Sequence, residues 1–157
     1  MKEDDFIVSK TDTKGRITYG NEIFTRMSGY SEKELLNAPH SILRHKDMPA
    51  VVFKLLWDRI KNKKPINAYV KNLTKNGDFY WVFANVTASL DNDGKIIGYY
   101  SVRRKPSKKG LEAVNGLYSE LLGIEKSQGI EASAKALESK LNEMGVEYDE
   151  LVISLQK

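Results

Sequence analysis

Cysteine is absent from the 157 residues, which excludes disulfides, thiolate nucleophiles and Cys-ligated zinc or iron–sulfur centres. Only two histidines occur, His40 and His45, too few for a His-rich metal site. No apolar run approaches the ~18 residues that a membrane-spanning helix needs. One candidate, Ala50-Val51-Val52-Phe53, is broken by Lys54. The N-terminal Met-Lys-Glu-Asp-Asp lacks the basic-then-apolar layout of a secretory leader, so a cytoplasmic address is the expectation. With 41% hydrophobic and 29% charged residues and only 4 Pro and 11 Gly, the composition is that of a globular chain rather than a disordered or fibrous one.

Charge divides the chain in two. The formal excess of +4 and the pI near 9.1 hint weakly at nucleic acid, but the distribution says otherwise. Residues 1–106 carry 19 Lys and Arg against 12 Asp and Glu, whereas residues 107–157 carry 6 against 9. Both Trp and all four Pro lie in the first part; the second has no Pro, Trp or Phe and is rich in Leu, Glu, Lys, Ala and Ser, a helix-favouring mixture. The expected organisation is a first unit over 1–106 and a helical extension over 107–157. Pro106-Ser107-Lys108-Lys109-Gly110 reads as the hinge between them.

Local patterns give an order of elements. Phe6-Ile7-Val8 and Arg16-Ile17-Thr18-Tyr19 flank the turn-like Asp12-Thr13-Lys14-Gly15. Asn21 can cap a short helix that Gly29 ends, and Ser31-Glu32-Lys33-Glu34 reads as a capping box for another. From Met48 to Lys61 the positions Val52, Phe53, Leu56, Trp57 and Ile60 form one apolar helical face. Three strands are expected at Ala68–Thr74, Phe79–Leu90 and Ile96–Arg103, joined by Lys75-Asn76-Gly77-Asp78 and Asp91-Asn92-Asp93-Gly94. The fold class is therefore α+β: a five-stranded antiparallel sheet with helices gathered on one face, followed by a C-terminal helical extension. A ligand pocket is expected between the sheet and the middle helices. In the tail, Leu111, Val114, Leu117, Tyr118, Leu121 and Leu122 form one apolar stripe. Two further stripes run over Ile130–Met144 and Tyr148–Leu155, and all three must pack on the first unit, on one another or on a partner.

The densest polar stretch is Pro39-His40-Ser41-Ile42-Leu43-Arg44-His45-Lys46-Asp47-Met48-Pro49. Cations just ahead of a helix start suit a phosphate. A plainer reading also stands, in which Asp47 caps the helix, Pro49 sits in its first turn and the rest is solvated loop. No Ser–His–acid arrangement is signalled and no substrate-handling acid or base stands out, so an enzyme is not expected.

Several runs in fixed order carry a resemblance. They are Asn21-x-x-Phe24-x-x-x-Ser28-Gly29-Tyr30, Arg44-His45-x-Asp47-Met48-Pro49, Val70-Lys71-Asn72, Lys75-Asn76-Gly77-Asp78-x-Tyr80-Trp81-Val82 and Gly98-Tyr99-x-Ser101-Val102-Arg103. Over about residues 6–120 the chain resembles a PAS domain of the subtype found in bacterial aerotaxis (Aer-type) receptors. That resemblance implies non-covalent FAD, redox or oxygen sensing, and flavin-site roles for Asn21, Arg44, His45, Asp47, Phe53, Trp57 and Asn72. Phe53 and Trp57 would offer aromatic surface, Arg44 and His45 would meet the pyrophosphate, and Asn72 would serve the polar edge of the ring. Each has a structural alternative: Phe53 and Trp57 at core spacing, Asn21 as a helix cap, Asn72 facing solvent. Ile66 stands where the subtype usually has Trp, and the lack of Cys sets the chain apart from thiol-dependent light-oxygen-voltage photosensors.

The 157 residues themselves hold no membrane, relay or coiled-coil segment of such receptors. The expectation is a stand-alone, CetB-like energy-taxis sensor acting in trans on a membrane-bound chemotaxis-type transducer, its tail serving for docking or homodimerisation. Two other readings stand beside it. One is a haem-binding oxygen sensor with His40 or His45 as axial ligand; the other is a ligand-free interaction module. Neither direct membrane insertion nor nucleic-acid binding is expected.

Overall fold

The computed structural model describes residues 1–157. Its first hairpin forms because Asp12 organises the turn. The Asp12 carboxylate accepts from the backbone N–H of Lys14 and of Arg16, both at 2.9 Å, and Gly15 takes φ +83°. This joins β1 (Phe6–Thr11) to β2 (Ile17–Gly20). Three strands follow the helices: β3 (Ile66–Leu73), β4 (Phe79–Leu90) and β5 (Ile96–Arg104). All pairings are antiparallel in the order β2-β1-β5-β4-β3, so the first strand lies beside the last. β3 begins two residues earlier than the alternation suggests. Ile66 and Asn67 pair with Val86 and Asn85, and the Asn67 N–H on that edge donates to Asp149 at 2.5 Å.

One face of the sheet carries the helices expected there. In α1 (Glu22–Ser28) the Asn21 side chain accepts from the Phe24 N–H, and Gly29 closes the helix in the left-handed region. In α2 (Glu32–Leu35) Ser31 accepts from the Glu34 N–H, the capping box in place. A 3-10 turn over His40–Leu43 leads to α3 (Ala50–Lys61). That helix starts two residues after Met48 because Pro49 stays extended at φ −68°, ψ 137° and occupies the cap position without a side-chain bond. The residue ahead of a proline is likewise driven from helical geometry.

The 107–157 stretch forms α4 (Lys108–Gln128), α5 (Ile130–Met144) and α6 (Tyr148–Gln156). Their apolar stripes are buried within the chain. Val114, Tyr118, Leu121, Leu137, Tyr148 and Val152 belong to the same core as Ile7, Phe24 and Tyr69. α4 and α6 cover the outer side of β3 and β4. The Tyr118 hydroxyl donates to the Tyr69 carbonyl at 2.7 Å and meets the Tyr148 hydroxyl, and its ring lies 6.1 Å from that of Trp81. α5 turns back onto α3. The expected hinge at Pro106–Gly110 is instead an anchored joint. Ser107 accepts from the Gly110 N–H at 2.9 Å, donates its hydroxyl to Leu155 at 2.7 Å and its N–H to Gln156 at 3.0 Å. Gly110 lies so close to Tyr69 that a Cβ there would overlap the phenol.

Candidate functional site

Strand parity determines what faces the helices. The pairings Asn72–Tyr80, Ala84–Arg103, Val86–Ser101 and Ser9–Ser101 align one set of side chains across four strands. Between this inner face, α3 and the 3-10 turn lies a cavity of about 340 Å³, at the small end of the ~300–1,000 Å³ range of ligand pockets. One wall is α3, contributing Phe53, Leu56, Trp57 and Ile60. The Trp57 ring meets Tyr99 of β5 edge-on at 5.2 Å. The opposite wall contains Val70, Asn72, Ala84, Val86, Ser101 and Arg103.

Of the seven predicted site residues, four are brought together here: Arg44, Phe53, Trp57 and Asn72. Arg44 is exposed at the margin, with its guanidinium 4.4 Å above the Phe53 ring. Its backbone bridges to Asn72, which is 4% exposed.

The other three lie elsewhere. The Asn21 carboxamide is committed to backbone: its oxygen accepts from Val8 and Phe24, both at 3.1 Å, and its nitrogen donates to Phe6 at 2.8 Å. His45 is buried off the cavity, its Nδ1 accepting from the Asp47 N–H at 3.0 Å and its ring edge-on to Phe79. Asp47 neither caps α3 nor lines the cavity. It pairs with Lys71 at 2.9 Å, which holds its carboxyl below the usual range. Ile66 is in the core at 1% exposure, without reaching the cavity.

A polar corner outside the seven predicted site residues sits on the inner face of β5. Arg103, 2% exposed, donates through Nη2 to Ser9 Oγ at 2.6 Å and lies 3.3 Å through Nη1 from His40 Nε2. Ser9 Oγ is itself 3.2 Å from that nitrogen, and the guanidinium stands 4.6 Å above the Phe24 ring. Burial, and then the Arg103 charge, push His40 down to about 3, so it is neutral. Burial also lowers Arg103, to about 10, which leaves it charged at neutral pH. Its Nε has no partner, and no carboxylate pairs with it. The charged lining of the cavity is thus Lys14, Arg44 and Arg103, with no Asp or Glu. One signal was available in the sequence: Tyr99, Ser101 and Arg103 alternate on one face of β5, and Tyr99 and Ser101 share Arg103's inward parity.

Such a wall accepts a flat aromatic body bearing negative charge. No group of three His, Cys, Asp or Glu is placed to hold a metal ion.

A family model described as the PAS fold matches residues 17–103. The aerotaxis receptor of Escherichia coli (strain K12) is 40% identical over 121 residues, 77% of this chain and 24% of the receptor. A nitrogen fixation regulatory protein of Klebsiella pneumoniae is 29% identical over 97 residues, 62% of this chain and 20% of that protein. This chain therefore spans a quarter or less of the length of these relatives. Among solved structures, a light-oxygen-voltage domain studied with a flavin analogue superposes with a TM-score of 0.61 at 20% identity, over 69% of this chain and 82% of that one. The PAS domain of a Colwellia psychrerythraea protein gives 0.60 at 17% identity, over 66% and 87%. At these identities the likeness is one of fold.

Proposed function

This chain belongs to the PAS fold family, and on that footing we propose that it senses redox state or oxygen through FAD held non-covalently beside α3. What carries the reading is the cavity wall, in which an aromatic helix face meets a lining whose charged groups are all cationic. Those residues fit the group: Trp57, Phe53 and Tyr99 match an aromatic ring system, Asn72 offers a donor and an acceptor, and Arg44 suits a phosphate at the margin. The 40% identity to the aerotaxis receptor supports the same choice. When bound, a flavin supplies reversible electron uptake with a change of charge. Phe53 and Trp57 would position it and exclude water, and α3, which they share with the α5-facing Val51 and Leu55, would carry the altered packing outward.

Output in trans is part of the proposal: the chain, in the cytoplasm, reports to a membrane-bound chemotaxis-type transducer, and its activity is signalling rather than turnover. No helix is long and apolar enough to cross a membrane. A haem reading gains nothing from the geometry, since His40 Nε2 is held by Arg103 and Ser9 and His45 lies off the cavity. For a ligand-free module, a cavity filled by side chains would be expected, rather than one of about 340 Å³.

An absorption spectrum of the untreated purified protein tests the proposal. Flavin bands, with FAD released on denaturation, are expected; a colourless protein that takes up no added FAD would sink it. Trp57→Ala is expected to weaken FAD binding about tenfold or more, measured by fluorescence titration. Asn21→Ala should lower stability while leaving affinity within about threefold.

A further inference from the structure

Arg103 is the one charged group of the cavity that is out of water. Lys14 and Arg44 are exposed, so their charges are screened and available to hydrated phosphates at the margin. Arg103 sits at 2% exposure with neutral neighbours only, Ser9, His40 and the Phe24 ring. A buried cation without an anion is unfavourable unless a partner arrives, and its Nε is bare. The apolar, aromatic part of the cavity would take the ring of a flavin, because a pyrophosphate left there would lose its hydration. Arg103 therefore faces the ring rather than the phosphates.

Resting on the flavin reading above, we propose that Arg103 is the counter-ion of the charge the ring acquires on reduction, so that it sets which redox state this cavity prefers. The oxidised ring takes two electrons from a reductant such as dithionite, which is oxidised to bisulfite, and one proton from water at N5. One negative charge then remains, spread over N1 and the adjoining carbonyl, and no bond to the protein forms or breaks. A buried guanidinium stabilises that monoanion and disfavours the second proton that would neutralise it. The groups packed against Arg103 do not blur the readout. From the 3-10 turn His40 stays neutral with a pKa near 3, from β4 the Tyr80 phenol is pushed up by burial, and β1 and α1 present Ser9 and Phe24.

The test uses the full chain loaded with FAD or with riboflavin, which lacks phosphates, and the variants Arg103→Gln and Arg103→Lys. Dye-coupled redox titrations between about pH 5.5 and about pH 8 count protons per electron pair. Wild type is expected to take up one proton per two electrons throughout. In Arg103→Gln the ratio of affinities for oxidised FAD and oxidised riboflavin should stay within about threefold of wild type. The variant's preference for the reduced form should fall at least about tenfold, roughly 30 mV for a two-electron couple, with riboflavin as with FAD. Arg103→Lys should stay near wild type. An unchanged potential in Arg103→Gln overturns the proposal. So does a loss of affinity for oxidised FAD but not riboflavin, which assigns Arg103 to the phosphates. Should Arg103→Gln fail to fold, wild type still decides, because two protons per two electrons across this range overturns the proposal. A wild-type chain that takes up no flavin sinks the flavin reading itself, a distinct outcome from one that takes it up with Arg103 making no difference.

Discussion

At the polar corner of β5 a buried guanidinium lies against a partly buried imidazole and only the guanidinium is charged, which makes stability depend on pH. His40 is pushed to about 3 in the fold from an ordinary 6.5. The unfolded chain therefore binds a proton more readily between those values, and stability rises with pH across that window. It is fully present above about 6.5 and is lost as pH falls toward 3; at about pH 5 the loss is about 2 kcal/mol. Urea unfolding at successive pH values should show this slope, and His40→Gln should flatten it; an unchanged slope in that variant would assign the loss to other groups. Residues that act on their own neighbours were legible in the sequence. Asn21, Ser31 and Gly29 cap where their chemistry says they should, because capping needs only the next turn of chain. Arg103 was not, because its role comes from Ser9 and His40, 94 and 63 residues away. His45 and Asp47 show the converse: their motif reads as a cation cluster, yet one is turned toward Phe79 and the other is taken by Lys71.

Among the elements, α3 takes the cap of its first turn from another helix. Pro49 offers no side-chain cap, and the Ala50 N–H instead donates to Glu125 of α4 at 2.6 Å. A carboxylate there satisfies an orphan donor and opposes the positive end of the helix. Glu125→Ala is expected to cost about 1–2 kcal/mol in urea denaturation, and a change below about 0.5 kcal/mol would show that water replaces the cap. Ser133, which donates to the same carboxylate at 3.3 Å, is the partner for a double-mutant cycle. The sheet strands were readable because the Asn-Gly and Asp-Gly turns fix the pairing locally; Asp91 accepts from Asp93 and Lys95, each at 2.9 Å. The seat of α4–α6 was not. An amphipathic stripe states that a partner is needed but not which surface supplies it. What settles it is a fit between distant residues, Gly110 against Tyr69 and Asp149 against the edge of β3.

For the molecule as a whole, the change in composition near residue 106 does not mark a break in packing. Removing residues 107–157 would uncover Tyr69, buried at 0% exposure, and Trp81, and would free the β3 edge. Burial of a few such side chains at ~1.5–3 kcal/mol each implies a loss of about 5 kcal/mol or more. A chain ending at Pro106 should therefore unfold at markedly lower urea than the full chain and bind a hydrophobic dye, and equal midpoints would refute this. α3 forms a wall of the cavity through Phe53 and Trp57 and a wall of the α5 groove through Val51 and Leu55. Occupancy of the cavity and docking of α5 then meet on one helix, and thermodynamic reciprocity applies to them. Whatever factor a cavity ligand adds to the protection of α5 amides against hydrogen exchange, loosening α5 must subtract from that ligand's affinity. Leu137→Ala, at a residue 4% exposed between the two helices, gives one side of that equality, and amide exchange with and without ligand gives the other.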